Sequence, residues 1–245
     1  MIEVDGLTRI YHCLRAVDDL SFRVEPGEIV ALAGPNGSGK TTTLRCIAGI
    51  IPATFGDVRI NSYSILKNPL EAKRTIGFLP EEPQLFEHLT VKEHLQFTAA
   101  VYGVKNFETR VSDLLEELDL LETANLLPHE LSRGMKQKLA LACSLIHEPT
   151  NLLLDEPLTG LDIPGARRVK EIILSRARRG AAVLVSSHCL ALIEEICNRV
   201  LILKQGRKAM EANLKELVQE RCLLGRSSEL EEIFMRAVDS GYEKV

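Results

Sequence analysis

Gly34-Pro35-Asn36-Gly37-Ser38-Gly39-Lys40-Thr41 fits the pattern G-x-x-x-x-G-K-[ST], a loop built to hold phosphate. Gly34, Gly37 and Gly39 let the backbone turn tightly and bring its N–H groups close to phosphate oxygens. Lys40 supplies a compact point charge for the outer phosphates, and the Thr41 hydroxyl is the expected Mg²⁺ ligand. Pro35, Asn36, Ser38 and Thr42 complete the expected cradle. The flanks are the required ones. The apolar run Ile29-Val30-Ala31-Leu32-Ala33 reads as a buried strand entering the loop. A helix is expected to leave it, with Leu44, Ile47 and Ala48 on its inner face and Gly49 then Pro52 ending it. A helix N-terminus, with its partial positive charge, then lies under the phosphates. The chain is expected to bind a nucleoside triphosphate.

The length of 245 residues suits one large α/β domain carrying an insert. Hydrophobic residues at 45% and charged residues at 26% argue against disorder. A net charge of −4 offers no general attraction to nucleic acid or to anionic lipid, so no nucleic-acid partner is expected. Arg176, Arg178 and Arg179 read as a solvated helix end. Cysteines 13, 46, 143, 189, 197 and 222 show no C-x-x-C pairing, and we expect reduced, buried, small hydrophobes in a cytosolic protein. The chain opens directly into Ile2-Glu3-Val4 without the pattern of a signal peptide. No apolar run approaches the ~18 residues needed to cross a bilayer, so membrane involvement would run through a partner.

Upstream of the loop, Ile2 and Val4 share one strand face, as do Leu20, Phe22 and Val24, and Asp57–Asn61 alternates again. These segments suggest a small antiparallel sheet beside the loop, with Ile76–Leu79 a further short strand stopped by Pro80. From about 83 to 147 the texture becomes helical. Thr90 with Glu93 forms a capping box; Val111, Leu114, Leu115 and Leu118 follow the helical period; Met135, Leu139, Ala142 and Ile146 form a third stripe. Strand pattern then resumes at 151–155, 181–185 and 200–203, near-continuous apolar runs as in a parallel sheet, the last closed by a Lys204-Gln205-Gly206 turn. Two short helices are expected to finish the chain, opening at Asn213 with Glu216 and at Ser228 with Glu231.

Leu152-Leu153-Leu154-Asp155-Glu156 ends a buried strand in two carboxylates. Successive side chains diverge there, so Asp155 is free to hold the metal's water shell while Glu156 polarises the attacking water. Leu131-Ser132-Arg133-Gly134-Met135-Lys136-Gln137 opens a helix. On the residues alone it is either a simple Ser cap or an anion-binding helix end.

The loop at 34–41, the helical insertion, Leu-Ser-x-Gly at 131–134, Asp-Glu at 155–156 and Ser186-Ser187-His188 occur in one order, and in it the chain resembles the nucleotide-binding subunit of an ATP-binding cassette (ABC) transporter over about 11–188. The resemblance implies an α/β P-loop NTPase core with a mainly parallel sheet, an N-terminal antiparallel subdomain and an inserted helical subdomain. The ATPase domain would span 1–210, with the insertion at about 83–147 and a helical extension at 211–245. It implies hydrolysis of ATP, with Mg²⁺, by a head-to-tail dimer of two copies or of this chain with a paralogous subunit. Ser132 and Gly134 would contact the γ-phosphate held by the other copy, and Asp162 of Gly160-Leu161-Asp162 would lie at the crossing between copies. His188 would sense the γ-phosphate, and Tyr11 would stack on adenine. Glu156, His188 and Lys40 would carry the chemistry, and Thr41, Asp155 and Glu81 the metal.

The sequence departs from the family's pattern twice. Glu81 stands where a Gln is usual; a carboxylate is still an oxygen ligand but cannot donate when ionised. Ser-Arg-Gly-Met replaces Ser-Gly-Gly-Gln, keeping the Ser and the second Gly. Both departures are similar to those of ABC-2 exporters, whose membrane subunits are separate chains. A permease partner would place the protein at the inner face of the cell membrane, with Leu85, Phe86 and Leu89 as candidate contacts. The competing reading is a soluble ABC ATPase without a transport role, such as an iron–sulfur assembly subunit.

Overall fold

The computed structural model describes residues 1–214 and 216. Two sheets organise them. The first is antiparallel, in the order β2-β1-β4-β5, from β1 (Ile2–Tyr11), β2 (Leu14–Val24), β4 (Phe55–Ile60) and β5 (Tyr63–Ser64). The second has the order β10-β9-β3-β8-β7-β6. It comprises β3 (Ile29–Ala33), β6 (Ile76–Leu79), β7 (Asn151–Asp155), β8 (Ala182–Ser186), β9 (Arg199–Lys204) and β10 (Arg207–Asn213). All its pairs are parallel except β10 with β9.

The central strands are apolar throughout because both their faces are covered. Ile29, Ala31 and Ala33 of β3, Leu152 and Leu154 of β7, and Val200 and Ile202 of β9 join one core, shared with the helical region. The alternate residues Val30, Leu32, Leu153, Leu201 and Leu203 join a second core, shared with the antiparallel sheet and α1 (Lys40–Ile47). Each large aliphatic side chain buried this way contributes about 1.5–3 kcal/mol.

The helices end where their local chemistry predicts. α1 closes at Gly49, whose φ of 64° allows the N–H groups of Gly49 and Ile50 to reach the carbonyls of Cys46 and Arg45. A short α2 (Pro69–Lys73) leads into β6. The insertion contains α3 (Val91–Tyr102), α4 (Phe107–Glu117) and α5 (Arg133–Leu145), with two 3-10 turns between the last two. The expected capping box is present at α3: Thr90 Oγ1 accepts from the Glu93 N–H, and Glu93 Oε2 from the Thr90 N–H. Val111, Leu114, Leu115 and Leu118 are buried, as are Leu139, Ala142 and Ile146. α6 (Ile163–Arg178) and α7 (Leu190–Ile196) follow the insertion.

Several expectations change. Arg176 does not belong to a solvated end: its guanidinium is largely covered and pairs with Glu117 of α4 at 2.7 Å. Packing of α4 beside α6 converts it into a bridge, and burial lowers its pKa, with Glu117 opposing. Cys13 and Cys189 are exposed, whereas Cys46 is buried. Leu85 packs on the core and Leu89 is half-buried, which leaves Phe86 as the exposed member of that trio. β10 is an additional edge strand that runs through position 210 to Asn213. The Ser228–Glu231 pair and the expected extension beyond 216 lie outside the described residues.

Candidate functional site

The C-terminal ends of the parallel strands all point to one edge of the sheet, where open α/β sheets bind ligands. The phosphate loop follows β3, Glu81 follows β6, Asp155 and Glu156 end β7, His188 follows β8 and Gln205 follows β9. They line one cleft of about 1190 Å³, together with Tyr11, Leu14, Arg15 and Ala16 from the β1–β2 hairpin.

The loop is held in a conformation that only glycine permits at two points. Gly34 has φ 151°, and a Cβ there would sit 2.4 Å from the Leu203 carbonyl; at Gly39, φ 104°, it would sit 2.4 Å from that of Ala16. The β9–β10 turn fastens the loop from outside. Gly206 donates to the Ser38 carbonyl at 3.0 Å and accepts from the Asp18 N–H at 2.9 Å.

What the loop leaves open identifies its ligand class. The backbone N–H groups of Gly37, Gly39, Lys40, Thr41 and Thr42 have no acceptor among the described residues. The Ser38 hydroxyl is buried without a partner among the described residues. A Cβ built at Gly37 would meet none of the described residues within 4 Å, so a ligand can reach the backbone there. Donors gathered at a helix N-terminus fit a polyphosphate. Lys40, 8% exposed, folds back to donate to the carbonyls of Gly34 (2.7 Å) and Pro35 (3.1 Å). Burial lowers its pKa, while Glu156, Asp155 and Glu81 act in the opposite direction.

Across the cleft, the Asp155 carboxylate is 1% exposed and accepts from the Ser186 hydroxyl. The same hydroxyl accepts the Glu156 N–H at 3.1 Å. Glu156 adopts φ 48°, a bend that swings its side chain out of the strand direction. Its Oε1 accepts the His188 backbone N–H at 3.0 Å and lies 2.7 Å from His188 Nδ1. One hydroxyl therefore holds the Asp155 carboxylate and the Glu156 backbone, and His188 aims the Glu156 carboxylate. Asp155, Glu81 and the Thr41 hydroxyl are oxygen donors along the same cleft, and no group of three or more His, Cys, Asp or Glu side chains suited to a metal exists among the described residues. That donor set suits Mg²⁺, which binds through few protein ligands together with substrate phosphates.

Ser132, Gly134 and Asp162 are not brought into this cleft. Ser132 caps α5 by accepting the Met135 N–H at 3.2 Å, and Asp162 caps α6 by accepting that of Gly165 at 3.0 Å. A Cβ on Gly134 would lie 2.8 Å from the Gly160 carbonyl, so the two segments pack backbone to backbone. Sequence reasoning missed Arg15, Ser186 and Gln205 as parts of the site. Ser186 stood first in the Ser186-Ser187-His188 motif without a role of its own, and Gln205 was read only as a turn residue.

A second groove, of about 360 Å³, runs between the insertion and the sheet. Phe78, Leu85, Phe86, His94, Tyr102 and His147 help to line it, and among the described residues no carboxylate does.

Residues 17–159 match the sequence profile of the family described as ABC transporter. The SkfA peptide export ATP-binding protein SkfE of Bacillus subtilis is 36% identical over 84% of this chain and 87% of its own. A solved ATP-binding subunit of an ABC transporter is 34% identical, with TM-score 0.89 over 97% of this chain and 99% of its own. A dimeric ATP-binding cassette solved in a post-hydrolysis state with ADP and Pi is 25% identical, with TM-score 0.82 over 87% of this chain and 99% of its own. Among the described residues no helix is long and apolar enough to cross a membrane.

Proposed function

This chain belongs to the ABC transporter family of ATP-hydrolysing proteins, and from that premise we propose that it drives an exporter as one half of a head-to-tail pair. One observation carries the reading. Lys40 and Glu156 face a single cleft, while Ser132 and Gly134 stand outside it, a separation that supports reading the cleft of one copy as half a site.

In this scheme the loop N–H groups and Lys40 hold the triphosphate, and Tyr11 stacks on adenine. Thr41 and Asp155, with Glu81 at the rim, would hold Mg²⁺, which spreads the phosphate charge. Glu156, aimed by His188, takes a proton from water as its oxygen bonds to the γ-phosphorus and the bond to the β,γ-bridging oxygen breaks. Ser132 and Gly134 of the second copy close the γ-phosphate side, with Asp162 near the crossing. Binding therefore joins the copies, and release of phosphate separates them.

The membrane subunit would be a separate chain docking at the groove beside Phe86, which places this protein at the inner face of the membrane. The match to the peptide-export ATPase SkfE supports transport over a soluble assembly role. Export over import rests on Glu81 and the Ser-Arg-Gly-Met variant. We draw the ATPase domain over 1–210 and on to the end of β10, with the helical insertion at about 83–147.

The test is Glu156→Gln. The variant should bind ATP and sediment as a dimer, while phosphate release falls by about 10²–10⁴-fold, the usual contribution of a general base. Wild-type turnover would remove Glu156 from its role.

A further inference from the structure

We propose that His94 is a positioning residue, one that presents Phe86 to the membrane subunit; this rests on the groove being the docking surface. The His94 ring is 3% exposed and makes two hydrogen bonds of opposite sense. Nδ1 lies 2.8 Å from the Thr90 carbonyl, and Nε2 lies 2.9 Å from the Phe86 backbone nitrogen. A carbonyl only accepts and an N–H only donates, so Nδ1 carries the proton and Nε2 offers its lone pair. The neutral ring satisfies both partners in this single tautomer.

The second bond matters because of what it holds. Residues 81–89 leave the sheet at Glu81 in the ATP cleft and return at Thr90, the cap of α3. Among the described residues, Phe86 N–H to His94 Nε2 is the only hydrogen bond joining 81–89 to another element; the other, Leu89 N–H to the Phe86 carbonyl, is internal. The Phe86 ring, 55% exposed, is further steered by an edge-on contact with Phe97 at 5.1 Å and lies 5.9 Å from the His94 ring. A large apolar side chain held ready at the groove mouth loses little freedom when a partner covers it. The same nine residues connect that mouth to Glu81, so a shift at Phe86 is felt in the ATP cleft. His94 thus fixes the geometry through which the membrane subunit and the nucleotide site sense each other.

Three variants test this in the cassette purified together with its membrane subunit and reconstituted in lipid nanodiscs. His94→Leu removes the acceptor, and His94→Gln restores one through its side-chain oxygen. Phe86→Asp tests the groove itself. Loss of one hydrogen bond predicts about a fivefold fall in the ratio of membrane-stimulated to basal ATPase rate for His94→Leu, with Gln returning it to within about twofold. The basal rate of the isolated cassette should stay at the wild-type level in both. Amide hydrogen exchange at Phe86 should speed up in the Leu variant and slow again in the Gln variant. If Phe86→Asp abolishes stimulation but His94→Leu keeps the wild-type ratio, the role of His94 is overturned while the groove stands. If Phe86→Asp leaves stimulation intact, the docking surface falls and this inference with it.

Discussion

Cys46, Cys143 and Cys197 lie where burial disfavours a thiolate, and burial pushes their pKa values from an ordinary 9.0 to about 11, about 11 and about 12. At Cys143 a hydrogen bond with Thr98 opposes part of the rise. An acid whose pKa is higher folded than unfolded keeps its proton longer in the folded state. The stability it contributes is complete below the unfolded value and is lost as pH rises toward the folded one. Urea midpoints should therefore fall between pH 8.5 and pH 10.5, and Cys46→Ala should flatten that slope; a slope unchanged in the variant would contradict the assignment. Near neutral pH, iodoacetamide should label Cys13 and Cys189 before these three, as peptide mapping would show. The sequence made all six cysteines look alike, because exposure at Cys13 comes from a two-residue hairpin tip and at Cys189 from the start of a short helix. Lys40, Asp155 and Glu156 were legible for the opposite reason: a strand, a turn and a few adjacent residues fix their surroundings. Ser186 and Gln205 reach the site only through neighbouring strands, and no local pattern announces that.

Among the elements, α5 and the segment before α6 show how a helix start is seated. Gly134 packs on the Gly160 carbonyl, and the Arg133 stem lies across Gly160, whose φ is 78°. A methyl group at position 134 would come within 2.8 Å of that carbonyl and push the two segments apart. Overpacking of this kind costs about 1–3 kcal/mol, which corresponds to about 5- to 150-fold on an association constant. Gly134→Ala in the Glu156→Gln background should therefore keep its secondary structure by circular dichroism yet need roughly tenfold more ATP to dimerise by sedimentation. Unaltered dimerisation would mean that this seat does not shape the partner-facing surface. The insertion's helices were readable from their apolar period, since each lays one stripe on the core. β10 was not, because an edge strand exposed along most of its length has no apolar alternation to read. Arg176 misled for a related reason. A charged residue near a helix end looks solvated until another helix is packed against it.

At the scale of the molecule, the strand order 10-9-3-8-7-6 gathers residues separated by more than a hundred positions at one sheet edge. The apolar runs implied a parallel sheet, but they carry no information on which strand neighbours which. Order emerges from covering both faces at once, with one core toward the helices and another toward the antiparallel sheet. The same architecture holds Ser132 away from the cleft that contains Lys40, and this separation gives a test that no single-copy site could pass. Lys40→Ala disables a cleft but leaves its Ser132 surface intact, whereas Ser132→Arg does the reverse. Each variant alone should show no measurable ATP-driven dimerisation or turnover. Mixed in equal amounts, a heterodimer pairs the intact cleft of the second with the intact Ser132 of the first, giving one working site and one doubly damaged site. Phosphate release should return, up to about half of the wild-type rate per heterodimer if the two sites act independently. Were Ser132 to serve the cleft of its own chain, both clefts in the mixture would remain broken and the rate would stay at background.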